Sequence, residues 1–131
     1  ASAEQVLGVL LGEIAPAPPV FVAGKVWTPL GGAGAAQAER SLALWRRPRF
    51  DLLQIHNLLA WREHLPTLQA LQAQGRARLL GVTTSHGHKH DELRTLLQRD
   101  AAALDMLQIT YSPADRRAEP LMALAAGQGL G

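Results

Sequence analysis

Polar residues stand at or near the ends of four short apolar runs, and their types suit proton and carbonyl chemistry. They are Lys25, His56, the pair Thr83 and Thr84, and Gln108, each about one strand–helix unit after the last. A lysine in an apolar run needs a reason, because an unpaired buried ammonium is costly. Taken alone, Lys25 is either functional or a solvated strand-end residue, and His56 is either functional or a structural histidine. Their equivalent placement on successive runs favours function.

The runs that carry these residues are predicted to be strands. Their near-continuous apolar character, without clean alternation, suits strands covered on both faces. The predicted strands are Val20–Trp27, Asp51–His56, Ala77–Thr83 and Asp105–Tyr111.

Segments whose apolar residues recur at helical spacing separate the predicted strands. The predicted helices are Glu4–Ile14, ended by Pro16, Pro18 and Pro19; one through Ala38, Leu42 and Trp45; one through Trp61, Leu65, Leu68 and Leu71, followed by Gly75; one capped by Asp91 and carrying Leu93, Leu96 and Leu97; and Glu119–Ala126, with Pro120 in its first turn.

Strands that alternate with helices predict a parallel sheet with crossover helices. A barrel and a doubly wound sheet both alternate in this way. No strand is followed by the glycine-rich phosphate loop of dinucleotide-binding sheets, and Gly31–Gly34 is predicted to be a flexible loop instead. In barrels, catalytic groups lie at the carboxyl ends of strands, which is where the polar residues are found.

Composition narrows the function classes. The chain has 131 residues with 13 basic and 11 acidic side chains, and the arginines are scattered instead of forming a stripe, so no nucleic-acid partner is expected. No apolar run approaches the length of a membrane span, so no membrane partner is expected. The absence of cysteine fits a reducing compartment, and we expect a cytoplasmic protein. The chain begins at Ala1 instead of methionine, which leaves room for an upstream segment.

Five segments in the right order resemble the aldo-keto reductase family. They are the lysine strand Val22–Val26, the histidine strand Asp51–Asn57, the helix, turn and strand Leu68–Thr83, the glutamine strand Leu107–Ser112, and the helix start Asp115–Glu119. The resemblance implies a parallel (β/α)8 TIM barrel of which about four strand–helix units are present. Residues 1–131 would form a single partial barrel domain, from helix 2 through helix 6 of the family fold.

The resemblance also implies a reaction and roles. The family transfers hydride from NADPH to the carbonyl carbon of an aldehyde or ketone. Lys25 would lower the pKa of a catalytic tyrosine, and His56 would orient the carbonyl oxygen. Trp27 and Asn57 would lie in the substrate pocket. Contacts to the nicotinamide carboxamide would come from Thr83, Thr84 and Gln108.

The family's catalytic aspartate and tyrosine have no counterpart in these 131 residues. The one tyrosine, Tyr111, follows the glutamine strand and is expected to pack or to lie at the mouth. We therefore expect this chain to be inactive alone. An alternative is a non-catalytic nucleotide-binding or regulatory module with the same fold.

Four strands also leave two open sheet edges, which invite self-association. Either the chain is part of a longer polypeptide, or two copies complete one another, or the sequence is incomplete. The first and third explanations are favoured.

Other polar residues receive no catalytic role. His86, His88 and His90 with Asp91 could bind zinc or nickel, but we expect a polar loop and no metal. His64 is expected at the surface. Asp51 and Asp105 open strands at the opposite, stabilising end of the barrel.

Overall fold

A computed structural model describes residues 2–14 and 19–131. In these ranges five α-helices alternate with four strands. The helices are α1 Ala3–Glu13, α2 Gly34–Trp45, α3 Trp61–Ala73, α4 His90–Asp100 and α5 Glu119–Gly127, and the strands are β1 Ala23–Val26, β2 Phe50–Ile55, β3 Ala77–Thr83 and β4 Met106–Gln108. Short 3-10 helices cover Gly31–Ala33, His56–Leu58 and Ala101–Ala103.

The sheet follows the order of the chain. Strands β1 to β4 lie side by side in sequence order, and every neighbouring pair is parallel. Helices α2, α3 and α4 make the crossovers that parallel pairing requires. All four strands therefore end at the same edge of the sheet, and the predicted parallel α/β fold is confirmed.

The two outer strands are shorter than predicted. β1 covers only Ala23–Val26 of the predicted Val20–Trp27, and β4 only Met106–Gln108 of the predicted Asp105–Tyr111. Each has one strand neighbour, so its ladder ends where that neighbour stops pairing. β3, which pairs on both sides, has the predicted bounds.

The core lies between the helices and one face of the sheet. In β1, Gly24 and Val26 are buried, whereas Ala23 and Lys25 are exposed. Ile55 and Val82, in register with Val26 across the sheet, are fully buried against the helices. The opposite face, which we call the inner face, carries Lys25.

The ends of the helices bear on three predictions made from the sequence. α4 begins at His90, with Lys89 at its N-cap in a left-handed conformation, so Asp91 does not cap it. Asp91 lies in the first turn, where its charge still favours the helix dipole. α1 ends at Glu13, and the predicted stop at Pro16 and Pro18 lies outside the described residues. Gly75, with φ of 73°, does follow the end of α3, as predicted.

The predicted flexible loop Gly31–Gly34 is instead ordered, and His64 is instead buried. Gly31–Ala33 forms a 3-10 helix that leads into α2 at Gly34. A Cβ atom at Gly34 would lie 2.6 Å from Nδ1 of His64, whose exposed fraction is 0%. Gly34 is therefore needed for close packing against α3, and Nε2 of the buried His64 hydrogen-bonds Thr28 O at 2.8 Å.

None of the helices in residues 2–14 and 19–131 combines the length and the apolar character that a membrane crossing needs.

Candidate active site

Five of the predicted site residues share the inner face at the carboxyl edge of the sheet. Lys25 is in register with Gln54, and Thr83 with Gln108. Side chains alternate along a strand, so His56, two residues after Gln54, lies on the same face as Lys25. Trp27 follows by the same rule, and its ring meets that of His56 edge to face, with centroids 5.8 Å apart.

His56 is held by two side chains. Besides the Trp27 ring, Oγ1 of Thr83 lies 3.1 Å from Nδ1 of His56. Burial, and to a smaller extent the charge of Lys25, lower the pKa of His56 below its ordinary value. The neutral form of the imidazole is therefore favoured. A neutral imidazole has one N–H that can donate a hydrogen bond and one nitrogen that can accept one.

The turn after β2 supplies a second contact to Thr83. Asn57 and Leu58 both have φ of 52°, a left-handed conformation that is unusual for a side chain as bulky as leucine. This turn directs the Asn57 N–H to Oγ1 of Thr83, at 2.9 Å. Thr83 therefore links the loop after β2 to the histidine.

The remaining two predicted residues form a separate group. Asn57 Oδ1 and Thr84 Oγ1 are both buried without a hydrogen-bond partner among the described residues. Both residues line a cavity of about 130 Å³, together with Ser85, His88 and Lys89. None of the residues on the inner face lines this cavity. A larger cavity of about 270 Å³, between α3 and the end of α4, contains none of the predicted site residues.

Trp27 is the most exposed member of the inner-face group. Its side chain is 65% exposed, while its backbone N–H donates to Oε1 of Gln37 in α2 at 2.9 Å. The buried His64 fixes Thr28, the next residue. His64 thus supports the Trp27 loop, a role that sequence reasoning missed because only tertiary packing reveals it.

Tyr111 follows β4, and the hydrogen of its phenol is used in a hydrogen bond to Glu119. The phenol donates to Oε1 of Glu119 at 2.9 Å, and Arg116 donates to the same oxygen at 2.7 Å. The bond to Glu119 is the largest of the causes that raise the pKa of Tyr111. A phenol in this state is a poor proton donor, in agreement with the expectation that Tyr111 is not the catalytic acid.

The histidine cluster is dispersed. The rings of His86 and His88 have centroids 6.5 Å apart, and His90 begins α4. Within residues 2–14 and 19–131, no three histidine or carboxylate side chains are arranged to hold a metal ion.

Four parallel strands with a lysine and a histidine at their carboxyl edge define a segment of a (β/α)8 barrel. The family model described as the aldo/keto reductase family matches residues 1–131, and the chain belongs to this family of oxidoreductases.

Solved structures agree on the fold. An aldo-keto reductase from Bacillus halodurans in its holo form has a TM-score of 0.77 at 22% identity, with 98% of this chain and 44% of that chain covered. A putative aldo-keto reductase from Pseudomonas aeruginosa has a TM-score of 0.75 at 23% identity, covering 98% and 53%. An aldo/keto reductase from Klebsiella pneumoniae, in complex with NADP and acetate, has a TM-score of 0.73 at 22% identity, covering 97% and 45%.

The chain thus spans about half the length of the solved structures it resembles. The predicted barrel class is confirmed. No curated protein sequence matches this chain.

Proposed function

We propose that this chain forms part of an NADPH-dependent carbonyl reductase that converts an aldehyde or ketone to an alcohol. The observation that carries the proposal is the meeting of Lys25, His56 and Trp27 on the inner face. Lys25 and Trp27 are exposed on this face, so a small substrate can approach it.

His56 would orient the substrate. Its Nδ1 is engaged by Thr83, whereas Nε2 is not among the buried atoms that lack a partner. A neutral imidazole with an accessible Nε2–H can donate to the carbonyl oxygen, where negative charge develops during reduction. Trp27 would form an apolar wall next to it, and Asn57 would contribute from the following turn.

Lys25 would act by its charge. It faces the same side as His56 and contributes to the lowered pKa of that residue. A cation here also favours the ionised form of a nearby phenol, and so makes that phenol a better proton donor. We propose that the phenol, and the aspartate that pairs with the lysine, come from segments of the complete protein other than these 131 residues, so that this chain alone is inactive.

Of the three predicted cofactor contacts, Gln108 is the one open to a nicotinamide carboxamide. Thr83 and Gln108 are neighbours in register on the inner face, and the Gln108 side chain is exposed and makes no hydrogen bond within the described residues. The Thr84 hydroxyl is buried in the separate cavity and does not join them. A bound NADPH would supply the hydride. The Klebsiella pneumoniae structure, which holds NADP, supports this choice of cofactor.

The test is NADPH oxidation by the native full-length protein with a panel of aldehydes. We expect Lys25→Met and His56→Gln each to lower kcat by about 10²-fold or more. Arg94→Met, which removes an exposed charge on α4, is the matched control and should retain activity. NADPH binding without turnover, unchanged by Lys25→Met, would instead establish the non-catalytic nucleotide-binding module.

Two further parts of the proposal concern the surroundings of the protein. A cytoplasmic location is supported by the absence of cysteine, and cell fractionation tests it. Self-association of this chain is supported by the open outer edges of β1 and β4.

A further inference from the structure

The hydroxyl of Thr83 lies between two nitrogen atoms, one that can only donate a hydrogen bond and one that can donate or accept. It lies 2.9 Å from the backbone N of Asn57 and 3.1 Å from Nδ1 of His56. Thr83 is 1% exposed, so water does not compete for these contacts. The protonation of His56 can therefore be worked out from the hydrogen-bonding capacity of one hydroxyl group.

A hydroxyl carries one hydrogen and two lone pairs. The Asn57 N–H can only donate, so it occupies one lone pair of Thr83. Nδ1 of His56 then either accepts the hydroxyl hydrogen or donates its own hydrogen to the second lone pair.

Burial decides between these two arrangements. If Nδ1 donated, the Thr83 hydrogen would need another acceptor, and residues 2–14 and 19–131 offer none within hydrogen-bonding distance. An unsatisfied hydroxyl in a site that is 1% exposed would be left at a cost in free energy. If Nδ1 accepts, every group is satisfied, and the hydrogen of the neutral ring is on Nε2, which is not buried without a partner.

We propose that Thr83 is a positioning residue that donates its hydroxyl hydrogen to Nδ1 of His56 and so fixes the Nε2–H tautomer. This inference rests on the proposed function for its catalytic meaning, because that tautomer presents a donor to the carbonyl oxygen. The Asn57 N–H completes the arrangement, since it occupies one lone pair of the hydroxyl and leaves the hydroxyl hydrogen for Nδ1.

The assignment also changes what Thr83 can offer a cofactor. With its one hydrogen committed to His56 and one lone pair taken by Asn57, the buried hydroxyl has no donor left for a carboxamide oxygen. The carboxamide oxygen must then find its donor elsewhere, and the side-chain amide of Gln108, the register neighbour of Thr83, is placed to provide it.

The test is the nitrogen NMR spectrum of His56 in the native full-length protein labelled with ¹⁵N-histidine, at a pH where the ring is neutral. The His56→Gln variant assigns the signals by their loss. We expect an unprotonated, hydrogen-bonded Nδ1 and a protonated Nε2. A protonated Nδ1 in the wild-type protein overturns the proposal.

Three variants complete the design. Thr83→Ser keeps the hydroxyl and should keep the Nδ1 signal in place. Thr83→Val should move Nδ1 to the position of an acceptor without a donor and lower kcat about tenfold, which Thr83→Ser restores. Thr84→Val, which removes the adjacent buried hydroxyl, should leave the His56 signals unchanged.

An Nδ1 signal that is the same in wild type and Thr83→Val contradicts the inference. The expected spectra in a protein that shows no turnover would contradict the proposed function only.

Discussion

The candidate catalytic residues were predictable from their types and positions, whereas the hydrogen bonds between them were not. Lys25 and His56 stand at strand ends in the sequence, and the parallel sheet brings them to one face. The hydroxyl of Thr83 is different, because one of its two partners is the N–H of Asn57, in a left-handed turn that no residue pattern predicted. Burial of His64 was likewise hidden, since its partner is a backbone carbonyl 36 positions away.

The influence of Lys25 on His56 gives a prediction at this scale. Burial is the larger cause of the lowered pKa of His56, and the charge of Lys25 is the smaller one. Lys25→Met removes the charge but leaves the burial, so the pKa of His56 should rise while staying below its ordinary value. NMR titration of His56 measures this, with Arg94→Met as the control that should not move it. A fall in the pKa would show that Lys25 does not act by its charge.

At the scale of elements, two aspartates fasten neighbouring strands at the end of the sheet away from the site. Oδ2 of Asp51 accepts the Val22 N–H at 2.9 Å, and Oδ2 of Asp105 accepts the Leu80 N–H at 2.8 Å. Each aspartate thus ties the start of its own strand to the strand before it. Both residues are predicted from the sequence to lie at the stabilising end, and their contacts agree with that role.

Loss of one of these contacts should be measurable. Asp105→Leu leaves the Leu80 N–H without an acceptor and should lower the free energy of unfolding by about 1–3 kcal/mol. Asp105→Asn keeps an acceptor oxygen and should lose clearly less. Urea denaturation of both variants distinguishes the cases, and equal losses would mean that charge or volume at this position matters more than the hydrogen bond.

Two glycines at the start of α2 and in the turn before it provide a variant and its matched control. A Cβ at Gly34 would meet the buried His64, whereas a Cβ at Gly32 would have no atom within 4 Å. Gly34→Ala should lower the free energy of unfolding by about 1–3 kcal/mol. Gly32→Ala should leave it unchanged or raise it by up to about 1 kcal/mol. Urea denaturation is again the measurement, and equal effects would show that α3 does not pack as closely on this turn as the structure indicates.

At the scale of the whole molecule, four parallel strands make an open sheet where a barrel has eight. The outer edges of β1 and β4 and exposed apolar side chains such as Phe21 and Trp27 favour association. We expect the isolated 131-residue chain to give a mass by light scattering that rises with concentration. A monomer at every concentration would argue that the open edges are protected.

The alternation of apolar runs with segments of helical spacing was enough to predict the parallel fold, because strands covered on both faces are almost continuously apolar. Strand lengths were not predictable at the outer edges, since they depend on which neighbours are present.

The order of the strands also bears on how the chain acquires its structure. Within residues 2–14 and 19–131, each strand pairs with the strand that precedes or follows it in the sequence, with one crossover helix between them. Parallel pairing across a crossover forms more slowly than local contacts, and chains begin to fold from the N-terminal side during synthesis. β1 and β2 can pair as soon as residue 55 has left the ribosome, and each later unit adds to an existing edge. The sheet would then grow in the direction of translation, with the His56 site completed when β3 joins.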